Sequence, residues 1–169
     1  LTRSSAASDV YKRQVKGVEA EMMGFEGELY FSITNKHSIK SSFSFIKSDF
    51  REDENSSFKP IPFTPPLKIS TEYILNFTNG NTGVIYTFSD KQDRVGEFET
   101  ITESYNKLDF YLQYNLINEK NFLKASTLST LSINVQNILD TEYYNHLSRI
   151  KDLMPEMGRR FMISYKIYY

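Results

Sequence analysis

The sequence predicts an all-β protein, a wall of about seven antiparallel strands of the kind that closes into a transmembrane β-barrel. Three observations carry that expectation. Apolar and polar residues alternate with period two in one stretch after another. Aromatic residues are abundant, with 12 Tyr and 13 Phe making 15% of the 169 residues and no Trp. The connections between alternating stretches are short and long by turns, the pattern of a barrel with brief turns on one rim and extended loops on the other.

The elements follow in order. GVEAEM opens the series, and a polar turn at 34–37 leads to SIKSSFSF. The long FREDENSSFKPIPFTP comes next, where the charge run 51–54 is a solvated loop and Pro60, Pro62, Pro65 and Pro66 stop pairing before the third strand. LKISTEYILNFT then places Leu67, Ile69, Thr71, Tyr73, Leu75 and Phe77 on one face against Lys68, Ser70, Glu72, Ile74, Asn76 and Thr78 on the other. The Asn-Gly-Asn at 79–81 is a hairpin signal and places a turn at 79–82 before GVIYTFSD. After the long SDKQDRVGEFETITES, the stretch YNKLDFYLQYNL sets Leu108, Phe110, Leu112, Tyr114 and Leu116 against Lys107, Asp109, Tyr111, Gln113 and Asn115. A short turn at 117–121 leads to LSINVQN. Finally the long LDTEYYNHLSRIKDLMPEM precedes FMISYKIYY, with Phe161, Ile163, Tyr165, Ile167 and Tyr169 opposite Met162, Ser164, Lys166 and Tyr168.

A soluble or surface-anchored β-sandwich binding module alternates in the same way and is the competing reading, together with a smaller porin-like barrel. Strand spacing of about 20 residues, rather than the 8 to 12 of sandwiches, favours the barrel, as do wet faces too polar to line a sandwich interior. Mean hydropathy is a polar −0.46, and no stretch approaches the roughly 20 apolar residues of a transmembrane helix. A net charge of −1 gives no electrostatic basis for binding nucleic acid. The absence of Cys removes disulfides and thiolate metal sites.

The first fourteen residues, LTRSSAASDVYKRQ, match nothing after them. They hold no apolar run that would make a secretory signal. Read backwards into codons, 4–14 resembles a transposon-based sequencing-library adapter. The expectation is therefore a non-native tail over 1–14, with the barrel segment occupying 15–169 and beginning inside a longer gene.

Candidate functional residues concentrate in the last long loop. His146 and Ser148 with Asp140 or Asp152 offer the residue types of a hydrolase, yet no nucleophile-elbow pattern surrounds any Ser, and no catalytic activity is expected. His146, Met154 and Met157 are donors that suit a soft metal such as copper, although Met in a loop more often packs as a flexible filler; no metal or other cofactor is assigned. Arg149 and Lys151, with Arg159 and Arg160, would attract an anionic chelate or lipopolysaccharide phosphates, or stand as solvated rim charges.

Taken in order, GVEAE, PFTPPLKI, SINVQNILDTEYYNHLSR and PEMGRRFMISYKIYY resemble the C-terminal barrel segment of TonB-dependent outer-membrane receptors. The most specific portion is Asn137-Ile138-Leu139-Asp140 with Tyr143, Pro155, Gly158 and Arg159 and an aromatic-ended last strand. The family ends most often in Phe, and here Tyr169 stands last. The resemblance implies a barrel of about 22 strands with a plugged lumen, of which this chain supplies the last seven. It further implies uptake of a scarce large nutrient (an iron-siderophore, haem, cobalamin, a metal or a glycan) in the outer membrane of a Gram-negative bacterium, energised through TonB. The wet faces, with Glu19, Glu21, Lys40, Lys68, Glu72, Lys107, Asp109, Gln113, Asn134, Gln136 and Lys166, would then line the lumen or hold the plug domain. Phe161, Ile163, Tyr165, Ile167 and Tyr169 would be the signal read by the barrel assembly machinery. The implied partners are outer-membrane lipid and lipopolysaccharide, that machinery, and the plug and TonB complex through the missing N-terminal part.

Overall fold

The computed structural model describes residues 17–118 and 127–168. The expected tail over 1–14, part of the turn at 117–121, and Tyr169 lie outside these residues. Eight strands form: β1 (Glu19–Ser32), β2 (His37–Arg51), β3 (Lys59–Pro60), β4 (Lys68–Phe77), β5 (Gly80–Ser89), β6 (Tyr105–Asn118), β7 (Thr127–Gln136) and β8 (Arg160–Tyr168). All pair antiparallel in one sheet of order β1-β2-β4-β5-β6-β7-β8, with β3 paired to β2 off that path. Seven long strands thus match the seven alternating stretches, and β3 is an addition. Pro60, expected only to stop pairing, lies opposite Asp49 in this two-residue strand, a position at a sheet edge where the missing N–H is tolerated.

Strand register carries the alternation across the sheet, because facing residues share a side. Through the pairs Phe43↔Ile69, Thr71↔Tyr86, Val84↔Phe110, Phe110↔Val135 and Ile133↔Ile163, one face collects the apolar residues. Through Lys40↔Glu72, Glu72↔Ile85, Thr87↔Lys107, Gln113↔Ser132 and Thr130↔Lys166, the other is mostly polar. No apolar side chain among the described residues is buried, and Phe161 and Ile163 are about 70% exposed. A sandwich would cover this oily face with a second sheet. Here a single sheet leaves it open, and the sandwich alternative falls.

Several polar groups on the oily face hydrogen-bond to one another, an arrangement that would suit a setting without water. His37 Nδ1 meets the Tyr73 hydroxyl near the short turns, Ser41 Oγ meets Thr71 Oγ1 at 2.6 Å in mid-strand, and the Tyr86 hydroxyl donates to Asn106 Oδ1 at 2.6 Å near the long loops. Strands β4, β5 and β7 have ten residues each and β8 nine, the length a tilted strand needs to cross hydrocarbon. At 14 and 15 residues, β1 and β2 are longer, and their surplus is polar.

That surplus corrects one expectation. Glu19 and Glu21, taken as wet-face residues with Lys40, lie on the same side as Phe25, Leu29 and Phe31, whereas Lys40 lies opposite. They are tolerated there because they sit past the apolar band. Glu19 Oε2 pairs with Arg51 at 2.6 Å, and Lys47 and Asp49 continue the polar end on β2.

Turn placement also differs from expectation at 79–82. The β4–β5 loop is only the two residues 78–79, and Phe77 already faces Gly80. Gly80 is required by close approach: a Cβ there would stand 2.0 Å from the Gln113 carbonyl oxygen on β6. The Asn-Gly signal located the hairpin, but the glycine serves the neighbouring strand.

Candidate functional site

Two regions gather the chemistry-bearing side chains: the polar face and the rim of long loops. On the polar face the register places Lys68, Glu72, Lys107, Asp109, Gln113 and Lys166 together, with Asn134 and Gln136 of the same expected set. Lys40 Nζ is 3.0 Å from Glu28, and the Tyr111 hydroxyl donates to Glu72 Oε1 at 2.7 Å. Tyr111 reaches it by lying across Gly83, whose absent side chain leaves the ring its room. A hollow of about 640 Å³ opens on this face between Glu26, Glu28, Ser42, Ser44, Lys68, Ser70 and Thr87. Toward the long loops, Asp109 accepts the Asn137 amide at 2.8 Å on Oδ1 and pairs with Lys107 at 2.8 Å on Oδ2, tying the wall to the last loop.

That loop is organised by the Asn-Ile-Leu-Asp run. Asn137 (φ 50°) and Asp140 (φ 55°) both take the left-handed conformation, which these two residue types enter more readily than most. The buried Asn137 side chain accepts the Thr141 amide at 3.0 Å and donates to the Thr141 carbonyl at 2.9 Å, closing a turn as backbone would. Asp140 Oδ1 accepts the Arg159 amide at 2.7 Å across the loop neck, close to Gly158. Tyr143 packs on Tyr105, with ring centroids 4.5 Å apart, and burial pushes its hydroxyl pKa up, helped by the Glu156 carboxylate. The stretch that carries the family resemblance is therefore the frame of this loop.

Within the frame sits a buried cluster of Glu99, His146 and Lys151. Asn145 caps the turn at 145–148, and further turns bring Lys151 back against His146. The His146 side chain is fully enclosed. Its Nδ1 takes a hydrogen bond from Thr102 Oγ1 (2.9 Å) and faces Lys151 Nζ (3.3 Å). That places the ring proton on Nε2, which has no hydrogen-bond partner and looks at Glu99 Oε1 from 3.6 Å. Lys151 also donates to the Thr100 carbonyl at 2.5 Å and to Thr102 Oγ1 at 2.7 Å. Glu99 in turn accepts the Phe63 amide at 2.7 Å and the Gly96 amide at 2.8 Å. Three long loops are latched by one Glu–His–Lys row: 61–67, 90–104 and 137–159. Burial lowers the His146 pKa, the Lys151 ammonium lowers it further, and Glu99 opposes both.

Of the candidate loop residues, His146 and Lys151 come together but face inward. Arg149, Met154 and Met157 are exposed. Nothing assembles His146 with the two Met residues as a soft-metal site, and an ammonium 3.3 Å from Nδ1 opposes a metal cation there. The hydrolase grouping is not formed either, since the His146 ring nitrogens face Thr102, Lys151 and Glu99 rather than Ser148, Asp140 or Asp152. Glu99 and Thr102 were missed, because they stand 44 to 47 residues away from His146 in a loop with no motif.

A single two-faced sheet with short turns at one rim and latched loops at the other defines a segment of barrel wall. The chain belongs to the family described as TonB dependent receptor-like, beta-barrel, whose model matches residues 5–138. The Asn137–Asp140 run is cut by the end of that match, and the final strand lies past it. Among solved structures, the chain is similar to the copper transporter OprC with a TM-score of 0.74 and 19% identity over 88% of this chain. It spans 24% of that structure's length, and at this identity the likeness is one of fold. No curated protein matches the sequence.

Proposed function

We propose that this chain is the C-terminal wall of an outer-membrane receptor that takes up a scarce large nutrient, powered through TonB, and that it performs no enzymatic chemistry. The observation that carries the reading is the pairing of an uncovered apolar face with a polar, hydrogen-bonded opposite face in one sheet. Lipid is the solvent that suits the first and a water-filled, plugged lumen the second. Lys68, Glu72, Gln113 and Lys166 then face the plug or passing cargo. The residues of β8 on the apolar face, with Tyr169, form the assembly signal. Arg149, Met154 and Met157 stand at the outer surface, where cargo and lipopolysaccharide meet the receptor.

The neighbour's name makes copper one cargo to test beside ferric chelates, haem, cobalamin and glycans. Uptake of each labelled compound by cells with and without the full-length receptor, in TonB-competent and TonB-deficient backgrounds, tests the reading. TonB-dependent uptake of one of them supports it. Passive entry indifferent to TonB points to the porin-like alternative.

We further propose that the tail over 1–14 derives from library DNA, a reading supported by back-translation of residues 4–14. The family match begins at residue 5, inside that tail. Resequencing the locus from a different library chemistry decides the matter, and recovering SSAASDVYKRQ there overturns the assignment.

A further inference from the structure

We propose that His146 is an acid-operated latch between the long loops: on taking a proton at Nδ1 it expels the Lys151 ammonium and releases loop 137–159 from loop 90–104. The inference uses the receptor reading only to place these loops in the external medium, whose pH varies.

The geometry supplies the mechanism. In the latched state Nδ1 must accept, because the Thr102 hydroxyl and the Lys151 ammonium both point donors at it. A proton on Nδ1 turns that acceptor into a donor and sets an imidazolium, its ring closed to water, 3.3 Å from an ammonium. Thr102 Oγ1 can rotate to accept the new N–H, but Lys151 has no acceptor left on the ring. Glu99 offsets this only in part: the Phe63 and Gly96 amides hold its carboxylate 3.6 Å from Nε2, beyond hydrogen-bond reach. Glu99 from loop 90–104 and Lys151 from its own loop are the charged groups facing the ring. Asp152 is one step removed, holding the Thr100 hydroxyl, and from loop 61–67 the Phe63 amide enters through Glu99. The neutral row Glu⁻–His–Lys⁺ would become a buried net cation, and departure of Lys151 relieves it.

Two of the bonds broken, to the Thr100 carbonyl and Thr102 Oγ1, join the two loops. They also border a cleft of about 430 Å³ between Thr100–Tyr105 and Glu142–Tyr144, so release reshapes that cleft. The direction follows from linkage. Burial and Lys151 depress the closed-state pKa, so the open state, with an ordinary imidazole near 6.5, binds the proton more readily. The latch therefore holds above about pH 6.5 and weakens as pH falls below it. One proton can multiply the open population by at most about tenfold per pH unit, until the depressed closed-state value is passed.

The experiment is a dipolar spin-label distance measurement on the full-length receptor in proteoliposomes. Labels go on Phe98→Cys and Leu153→Cys, 97% and 85% exposed on the two loops, in a receptor otherwise free of Cys, from pH 8 to pH 5. One narrow distance is expected at pH 8, with a longer population growing severalfold below pH 6.5. His146→Gln and His146→Asn should each abolish the growth, and Lys151→Gln should show the longer population already at pH 8. A pH-independent wild-type distribution, or an acid transition that survives either His146 replacement, overturns the latch. Loop distances are read without cargo or TonB, so failed uptake and a failed latch are separate results.

Discussion

The wall and the rim of this molecule hold themselves together by opposite means. In the wall each residue's partner is fixed by register, and stability depends on a repeating choice between an oily and a wet face. At the rim there is no repeat. Single residues such as Asn137, Glu99 and His146 each serve a partner tens of positions away, and the loops stand or fall with a few buried hydrogen bonds. Substitutions should therefore act periodically in the wall and singly at the rim.

The largest effect is expected where periodicity is violated at mid-strand. Leu112→Arg places a charge on the apolar face and should cost about 2 to 4 kcal/mol, whereas Gln113→Arg, one residue on, should cost little. Heat-modifiable migration of the receptor from isolated outer membranes reads the difference, and Tyr165→Asp against Lys166→Gln repeats it on β8. Comparable losses at both members of a pair would erase the distinction between faces. Next comes Gly80→Ala, which drives a methyl into the Gln113 carbonyl. It should destabilise by about 1 to 3 kcal/mol, measured as a lower temperature of heat modification, and a neutral result would mean that β5 and β6 are not in this register.

At the rim, Asn137→Ala removes two side-chain hydrogen bonds and leaves an unfavourable left-handed residue, a loss of about 1 to 3 kcal/mol confined to the loop. Asn137→Gly keeps the conformation and should lose less. Limited proteolysis within 137–159 measures both, while heat modifiability stays unchanged. Deleting residues 1–14 should have the smallest effect, with no measurable change in either assay.

The fold was legible because alternation needs no knowledge of partners: Leu108 to Leu116 declare their face in the local sequence alone. Glu19 and Glu21 misled because alternation says nothing about where along a strand the apolar band ends; only their pairing with Arg51 and Asp49 reveals that they lie past it. The two-residue β3 escaped because pairing at Asp49 and Phe50 comes from β2, not from any strand pattern around Pro60. For the loops, residue types singled out His146 and Lys151 as outer-loop candidates, whereas both side chains are buried. Their burial depends on Thr100, Thr102 and Glu99, and a loop–loop contact leaves no periodic trace in either loop.

The claim that one face of this sheet meets lipid and the other water is tested most directly by scanning β6. Single cysteines at positions 107 to 114 of the full-length receptor, otherwise free of Cys and reconstituted in bilayers, would carry a nitroxide exposed in turn to lipid-soluble oxygen and to a water-soluble relaxing agent. Oxygen collisions should peak at Leu108, Phe110, Leu112 and Tyr114 and fall at Lys107, Asp109, Tyr111 and Gln113. Accessibility without a period of two, or with the phases exchanged, would contradict the account.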